Sequence, residues 1–194
     1  TGIKVELTTD KNLEDVISGP MQNGEFPDVV HLATGRPAGL TEQFIKDNNM
    51  AEITDVLFEN ITVLYNFHKP VISIHNSDDA FVHHIVYRNI TVENAFMQGD
   101  NGNNKELIEL SLAKSGWTTV RDEYGTIDDV LIDGLTVVNT LNGKVPASRI
   151  AGQSEEYRIT NVTLRNVSIL GERITDLKAL HASVNEFCDG ITVE

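Results

Sequence analysis

The sequence predicts a mainly β chain: a short parallel β-helix over residues 55–194, preceded by a small α/β segment over residues 1–54. Two observations predict it. The first is a phrase, Asp55-Val56-Leu57-Phe58-Glu59-Asn60-Ile61-Thr62-Val63, that returns in altered form at residues 84–92, 129–137 and 161–169. Its opening half returns once more at Gly190-Ile191-Thr192-Val193. The leading apolar position recurs at Val56, Ile85, Val130, Val162 and Ile191, in steps of 29, 45, 32 and 29 residues. Self-similarity at such a period marks a solenoid. The second observation is that the apolar residues of each copy alternate and then slip phase by one, at Asn60, Asn89, Gly134 and Asn166. Alternation marks a half-buried strand, and Asn and Gly replace one another where φ must be positive. Each copy therefore reads as a strand, a left-handed corner and a second strand.

A third apolar run follows each copy: Val71-Ile72-Ser73-Ile74, Leu107-Ile108-Glu109-Leu110, Arg149-Ile150-Ala151 and Leu177-Lys178-Ala179-Leu180. Three strands per coil, stacked in parallel, bury a continuous interior. Asn60, Asn89, Asn161 and Asn166 also begin glycosylation sequons. For the three at the repeated corner, a ladder of stacked side-chain amides explains the spacing without modification.

Residues 1–54 follow another rule. Ile3 to Leu7 alternates as a strand, Thr9-Asp10 offers a helix cap, and Leu13, Val16 and Ile17 recur at helical spacing up to Gly19-Pro20. Phe26 to Leu32 reads as a second strand, and Thr41 can cap a helix carrying Phe44 and Ile45. Strand, helix, strand, helix is the α/β rhythm. A β-helix exposes unpaired strand edges at its first coil, and this segment is a candidate cover for them.

The 45-residue step contains two excursions, Phe96 to Asn104 and Lys114 to Gly125, both rich in turn formers. Insertions in solenoids gather on one face, often the binding face. Trp117 and Tyr124 lie in the second excursion, where an exposed aromatic ring can stack on a ligand or fold back to plug the loop.

A net charge of −14 and a pI near 4.7 argue against nucleic acid and against anionic membrane surfaces as partners. No run of about 18 apolar residues occurs, so no membrane-spanning helix is expected. Cys188 is the single cysteine and reads as a small buried hydrophobe. The opening on Thr1, without a charged-then-apolar leader, reads as a processed product or an excised fragment.

Residues 55–194 resemble the C-terminal coils of right-handed parallel β-helix carbohydrate-active proteins, the polygalacturonase-like glycoside hydrolases. The recurring Phe58-Glu59-Asn60-Ile61-Thr62-Val63 corner, Ile74-His75-Asn76-Ser77-Asp78-Asp79, Pro146 to Gly152 and Val184-Asn185-Glu186-Phe187 carry the resemblance. It implies a polysaccharide substrate. It also implies a catalytic Asp-Asp pair, which Asp78-Asp79 matches, and an Arg-Ile-Lys strand, which Arg149-Ile150-Ala151 matches without its lysine. The family's Gly-His-Gly loop and Asn-Thr-Asp element have no counterpart here, so the apparatus for hydrolysis is incomplete. Residues 1–54 resemble part of the first lobe of an extracellular carbohydrate-binding protein of ABC transporters, through Thr1 to Val5, Phe26 to Val30 and Ala51 to Val56. That likeness implies a sugar-proximal loop at Thr34-Gly35-Arg36. Natural fusion, deliberate chimera and a misjoined reading frame are all open at the junction.

Glycoside hydrolysis generally uses two carboxyl groups flanking the scissile bond, and Asp78 and Asp79 are the candidates. A turn pair capping backbone N–H groups is the competing role. Trp117, Tyr124 and Arg149, with Thr34, Gly35 and Arg36, are the candidate substrate-binding residues. His83 and His84 are neighbours and point to opposite faces of a strand, so they cannot share one metal ion unless the strand breaks. No cofactor or metal is expected.

The expectation is thus a right-handed parallel β-helix solenoid, three strands per coil, with a small N-terminal α/β segment. It acts outside the cell or in the periplasm of a bacterium on poly- or oligosaccharide, and hydrolyses it if active. A solute-binding module and an inert scaffold are the alternatives. The open coil ends predict homodimerisation.

Overall fold

The computed structural model describes Pro20 and residues 52–98, 105–118 and 120–194. The strands and helices expected within residues 1–51, and Thr34, Gly35 and Arg36 with them, lie outside the described residues. The chain divides into two units at Ala51/Glu52, and the second is taken by itself.

This unit is mainly β, with parallel sheets. Its strands are β1 (Glu52–Val63), β2 (Ile72–Asn76), β3 (Phe81–Ala95), β4 (Ile108–Leu112), β5 (Thr126–Thr140), β6 (Ser148–Ala151), β7 (Ile159–Arg165), β8 (Ser168–Ile169), β9 (Glu172–Arg173), β10 (Ala182–Val184) and β11 (Cys188–Val193). One sheet runs β1-β3-β5-β7-β11, with β8 on β5 and β9 on β8, and the other runs β10-β6-β4-β2. Every pairing is parallel except β8 with β9. Those two close over Leu170-Gly171, both at positive φ, as a two-residue hairpin turn demands.

The residues that recur in sequence are partners in space. Val56 pairs with Ile85, Ile85 with Val130, Val130 with Val162, and Val162 with Ile191. The same register stacks Tyr87, Ile132 and Leu164, and places Ile90 beside Leu135. Most of these side chains are buried and join those of β4 and β6 in one core, with Val56 and Ile191 at its ends partly buried. At about 1.5–3 kcal/mol for each aliphatic side chain fully buried, the columns are the main stabilising term.

Each long strand bends twice, where the sequence suggested one corner. The expected corner is present: Asn60, Asn89, Gly134 and Asn166 have φ of 57°, 54°, 83° and 54°. A second column of positive φ lies five positions upstream in each copy, at Asp55, His84, Asp129 and Asn161, and continues at Gly190. Each bend inserts one residue into the alternation, so inward positions run Val82, Ile85, Tyr87, Ile90, Val92. The upstream bend was hidden because Asp and His occupy it as well as Asn and Gly. Side chains stack along both bends. Asn89 Nδ2 donates to Asn60 Oδ1 at 3.1 Å, Asn166 Nδ2 to Asp133 Oδ1 at 3.0 Å, and Asn161 Nδ2 to Asp128 Oδ1 at 2.8 Å.

One expected strand is displaced. Leu177-Lys178-Ala179-Leu180 is a turn, not a strand, and the strand pairing with β6 is β10, further along. Asp176 Oδ1 accepts the Ala179 N–H at 2.7 Å, and Ala182 N–H reaches back to the Leu177 carbonyl at 2.9 Å. Leu180 still fills the core, 1% exposed, so its apolar character reported burial rather than strand geometry.

Candidate functional site

The outward face of the four-stranded sheet follows from strand alternation. Ile72, Ile108, Leu110 and Ile150 point into the core, which turns Ser73 and His75 of β2, Glu109 and Ser111 of β4, and Arg149 of β6 the other way. The register makes two rows of them: Ser73, Glu109, Arg149 and Ser183 in one, His75, Ser111 and Ala151 in the next.

Glu109 is the hub of this face and is only 7% exposed. Its Oε1 forms an ion pair with Arg149 Nη2 and accepts the Ser111 hydroxyl at 3.1 Å, while Oε2 accepts the Ser73 hydroxyl at 3.4 Å. A carboxylate so buried is tolerable only when paired and hydrogen-bonded in this way. His75 Nδ1 lies 2.9 Å from Ser111 Oγ. Because Ser111 spends its one proton on Glu109, the imidazole must donate to the hydroxyl through Nδ1–H. The relay therefore runs His75 to Ser111 to Glu109, opposite to the direction that would activate a serine nucleophile. Ser111 is in addition 1% exposed. The face is built to hold its side chains in place and to present Ser73, His75 and Ser183 to solvent.

At the C-terminal ends of β2 and β4, residues 113–118 and 120–125 are pinned from several sides. Lys114 Nζ donates to the main-chain oxygens of Ser77 at 3.3 Å, Val120 at 2.6 Å and Glu123, and lies 4.0 Å over the Tyr124 ring. Asp78 Oδ1 accepts the Val120 N–H at 2.8 Å, and the Asp78 carbonyl accepts the Gly125 N–H at 2.8 Å. The Thr118 hydroxyl accepts Ser115 N–H at 2.7 Å, and the Ser115 hydroxyl accepts Trp117 N–H at 3.2 Å. At the apex Trp117 is 90% exposed. The Trp117 indole thus stands in water on a backbone hydrogen-bonded to Ser115.

The structure thus gathers Asp78, Tyr124 and Trp117 at one loop and sets Arg149 on the adjoining sheet face. Asp78 holds the loop by its carboxylate, and Asp79 is half-buried in the same turn. Tyr124 is packed against the core and tilted on Tyr157 at 5.6 Å, so its ring is a strut and Trp117 the free platform. Arg149 spends its guanidinium on Glu109. Sequence reasoning missed Ser73, His75, Glu109, Ser111 and Lys114. The alternation in β2 and β4 put four of them outward, but only register shows that they meet Arg149. Among the described residues, no three His, Cys, Asp or Glu side chains converge as metal ligands.

The one free thiol of the described residues, Cys188, is half-buried; burial pushes it up, against hydrogen bonding by the backbone of Gly152 and Asn185. No helix among the described residues is long and apolar enough to cross a membrane. No family model, no curated protein and no solved structure matches the chain.

Proposed function

We propose that residues 55–194 are a right-handed parallel β-helix related to the polygalacturonase-like glycoside hydrolases, and that the chain binds an extracellular or periplasmic poly- or oligosaccharide without cleaving it. The in-register columns at Val56, Ile85, Val130, Val162 and Ile191 support the solenoid reading. Two bends per long strand and a separate short-strand sheet are what three strands to a coil require.

The observation that carries the binding reading is Trp117, 90% exposed on a loop that follows β4, in the sheet whose outward face carries hydroxyl and imidazole groups. An indole has an apolar face and a polar edge, which suits a sugar ring with one face of C–H bonds and a rim of hydroxyls. Pre-setting the loop lowers the ordering cost of binding. Hydrolysis is disfavoured on this reading because the carboxylates at hand are committed. Asp78 holds the Val120 N–H, and Glu109 is neutralised by Arg149, whereas a glycosidase needs two carboxyls addressed to the scissile bond.

Titration of the full chain with a panel of uronic-acid and neutral oligosaccharides tests this. The expected result is sugar-dependent thermal stabilisation with no reducing-end release, lost in Trp117→Ala. Sugar release by the wild type that disappears in Asp78→Asn would replace the binding reading with the hydrolase. Silence across the panel would leave a structural scaffold.

A further inference from the structure

The sequence sets His83 and His84 on opposite faces of a strand, and the structure brings them together. His84 has φ of 52°, and that left-handed bend swings its ring to the side of His83. The two Nδ1 atoms lie 2.7 Å apart, with ring planes inclined at 64°. The far nitrogen of each ring meets a carboxylate: His83 Nε2 lies 2.5 Å from Glu52 Oε1, and His84 Nε2 lies 3.3 Å from Asp129 Oδ2. A carboxylate can only accept, so His83 Nε2 carries its ring's proton and His83 Nδ1 is left with a lone pair, while His84 Nε2 faces Asp129 at ion-pair distance. At this distance the His83 lone pair needs a positive partner opposite it, which is either a proton shared with His84 Nδ1 or a metal ion held by both nitrogens.

Further donors and charge surround the same point. Thr54 Oγ1 is 3.3 Å from His83 Nδ1 and 3.4 Å from His84 Nδ1. Asp128 is the cross-strand neighbour of His83, and Asp55 accepts the Thr54 hydroxyl at 3.1 Å. Asp55, Leu57, His84, Val86, Arg88 and Asp129 line a groove on the His84 side of the pair. Arg88, the cation of that groove, is turned to Glu59 at 3.2 Å.

We propose that His83 Nδ1 and His84 Nδ1 are the protein ligands of one divalent transition-metal ion of the zinc or copper class, with the Thr54 hydroxyl or water completing its shell. Imidazole nitrogen is the donor these ions favour over magnesium or calcium. A carboxylate behind each ring is the support that orients ligating histidines and raises their basicity. Metal–nitrogen bonds of about 2.0–2.1 Å in a tetrahedral shell set the two nitrogens about 3.3 Å apart. The rings must therefore part by about half an ångström, which the exposed His84 accommodates by a small χ rotation.

The test is calorimetric titration of the full chain with zinc chloride, and separately with copper(II) chloride, alongside 15N spectra of the imidazoles. One ion per chain is expected, with zinc moving the Nδ1 resonances of both residues and leaving their Nε2 protonated. His84→Asn keeps a residue that tolerates positive φ, as Asn161 does in the same column, and should abolish this binding while the thermal transition stays intact. Asp129→Asn should weaken it about 10- to 100-fold. Absence of binding in the wild type, binding that His84→Asn leaves unchanged, or spectra in which a shared proton persists between the rings at saturating zinc would each overturn the assignment.

Discussion

Gly134 sits at φ 83°, and a Cβ built there would lie 3.2 Å from Asn89 Oδ1. The amide of one strand occupies the room that a side chain on the next would need, so glycine at this step of the column is set by both backbone and neighbour. Gly134→Ala should cost about 1–2 kcal/mol from the left-handed backbone alone, and more once the amide is displaced. Gly143→Ala, at φ 64° with nothing within 4 Å, should cost only the backbone part. Urea unfolding of the two variants measures the difference, and equal losses would remove the packing argument. Charge acts through the same columns. Burial pushes the Asp128 carboxyl up, but hydrogen bonds from Thr160 and Asn161 outweigh it, and Arg165 with Asn166 hold Asp133 low. Folded values below the ordinary 3.8 stabilise the fold above that pH and are lost as pH falls through the lowered values. The urea midpoint should therefore drop below about pH 4, and drop less in Asp128→Asn; a variant tracking the wild type throughout would exclude Asp128 as a contributor. Residue identity made the downstream bend legible, since Asn and Gly are the residues that accept it. His84 and Asp129 concealed the upstream one, because neither residue signals a left-handed backbone as strongly.

The strands and the loop that leaves β4 separate two kinds of stability. Arg149→Ala strips the partner from a carboxylate that is 7% exposed, and a lost hydrogen bond to a charged group costs about 1.5–3 kcal/mol. Arg149→Ala together with Glu109→Gln should recover part of that loss. A double variant no better than the single would show that Arg149 contributes through packing alone. Lys114→Met acts elsewhere. It frees the main-chain oxygens of Ser77, Val120 and Glu123 and should expose residues 113–125 to proteases while lowering the global unfolding free energy by less than about 1 kcal/mol. Protection unchanged in hydrogen exchange across that loop would refute the tether. β2 and β4 were legible from alternation, and Leu177 to Leu180 was misread. A short apolar run looks the same whether it lies in a strand or in a buried turn, and the Asp176 side chain decides between them only once the fold is formed.

On the scale of the molecule, β1 has β3 on one side only and β2 has β4 on one side only, among the described residues. β1 also exposes Ile53, Leu57 and Phe58. Unpaired parallel edges of this kind invite a second strand, and we propose homodimerisation through them, opposed by a net charge of −14. Light scattering should show a mass that rises with salt as repulsion is screened, and Leu57→Lys should hold it at one chain. A single-chain mass at every salt and concentration would remove the proposal. The parallel pairing of the repeated segments was the most legible feature, because a period in the sequence becomes a register in space. The outward face was the least legible, because which polar side chains meet is settled by alignment between distant segments.

The two bends stand five residues apart in every long strand, whereas the connections between strands differ in length from copy to copy. Gaining or losing one residue between the bends would turn core side chains outward on that strand and throw two neighbours out of step. Lengthening a connector disturbs neither. Tolerance of insertion is thereby quarantined to the connectors, which are also where an epitope or a tag could be grafted without the sheets registering it.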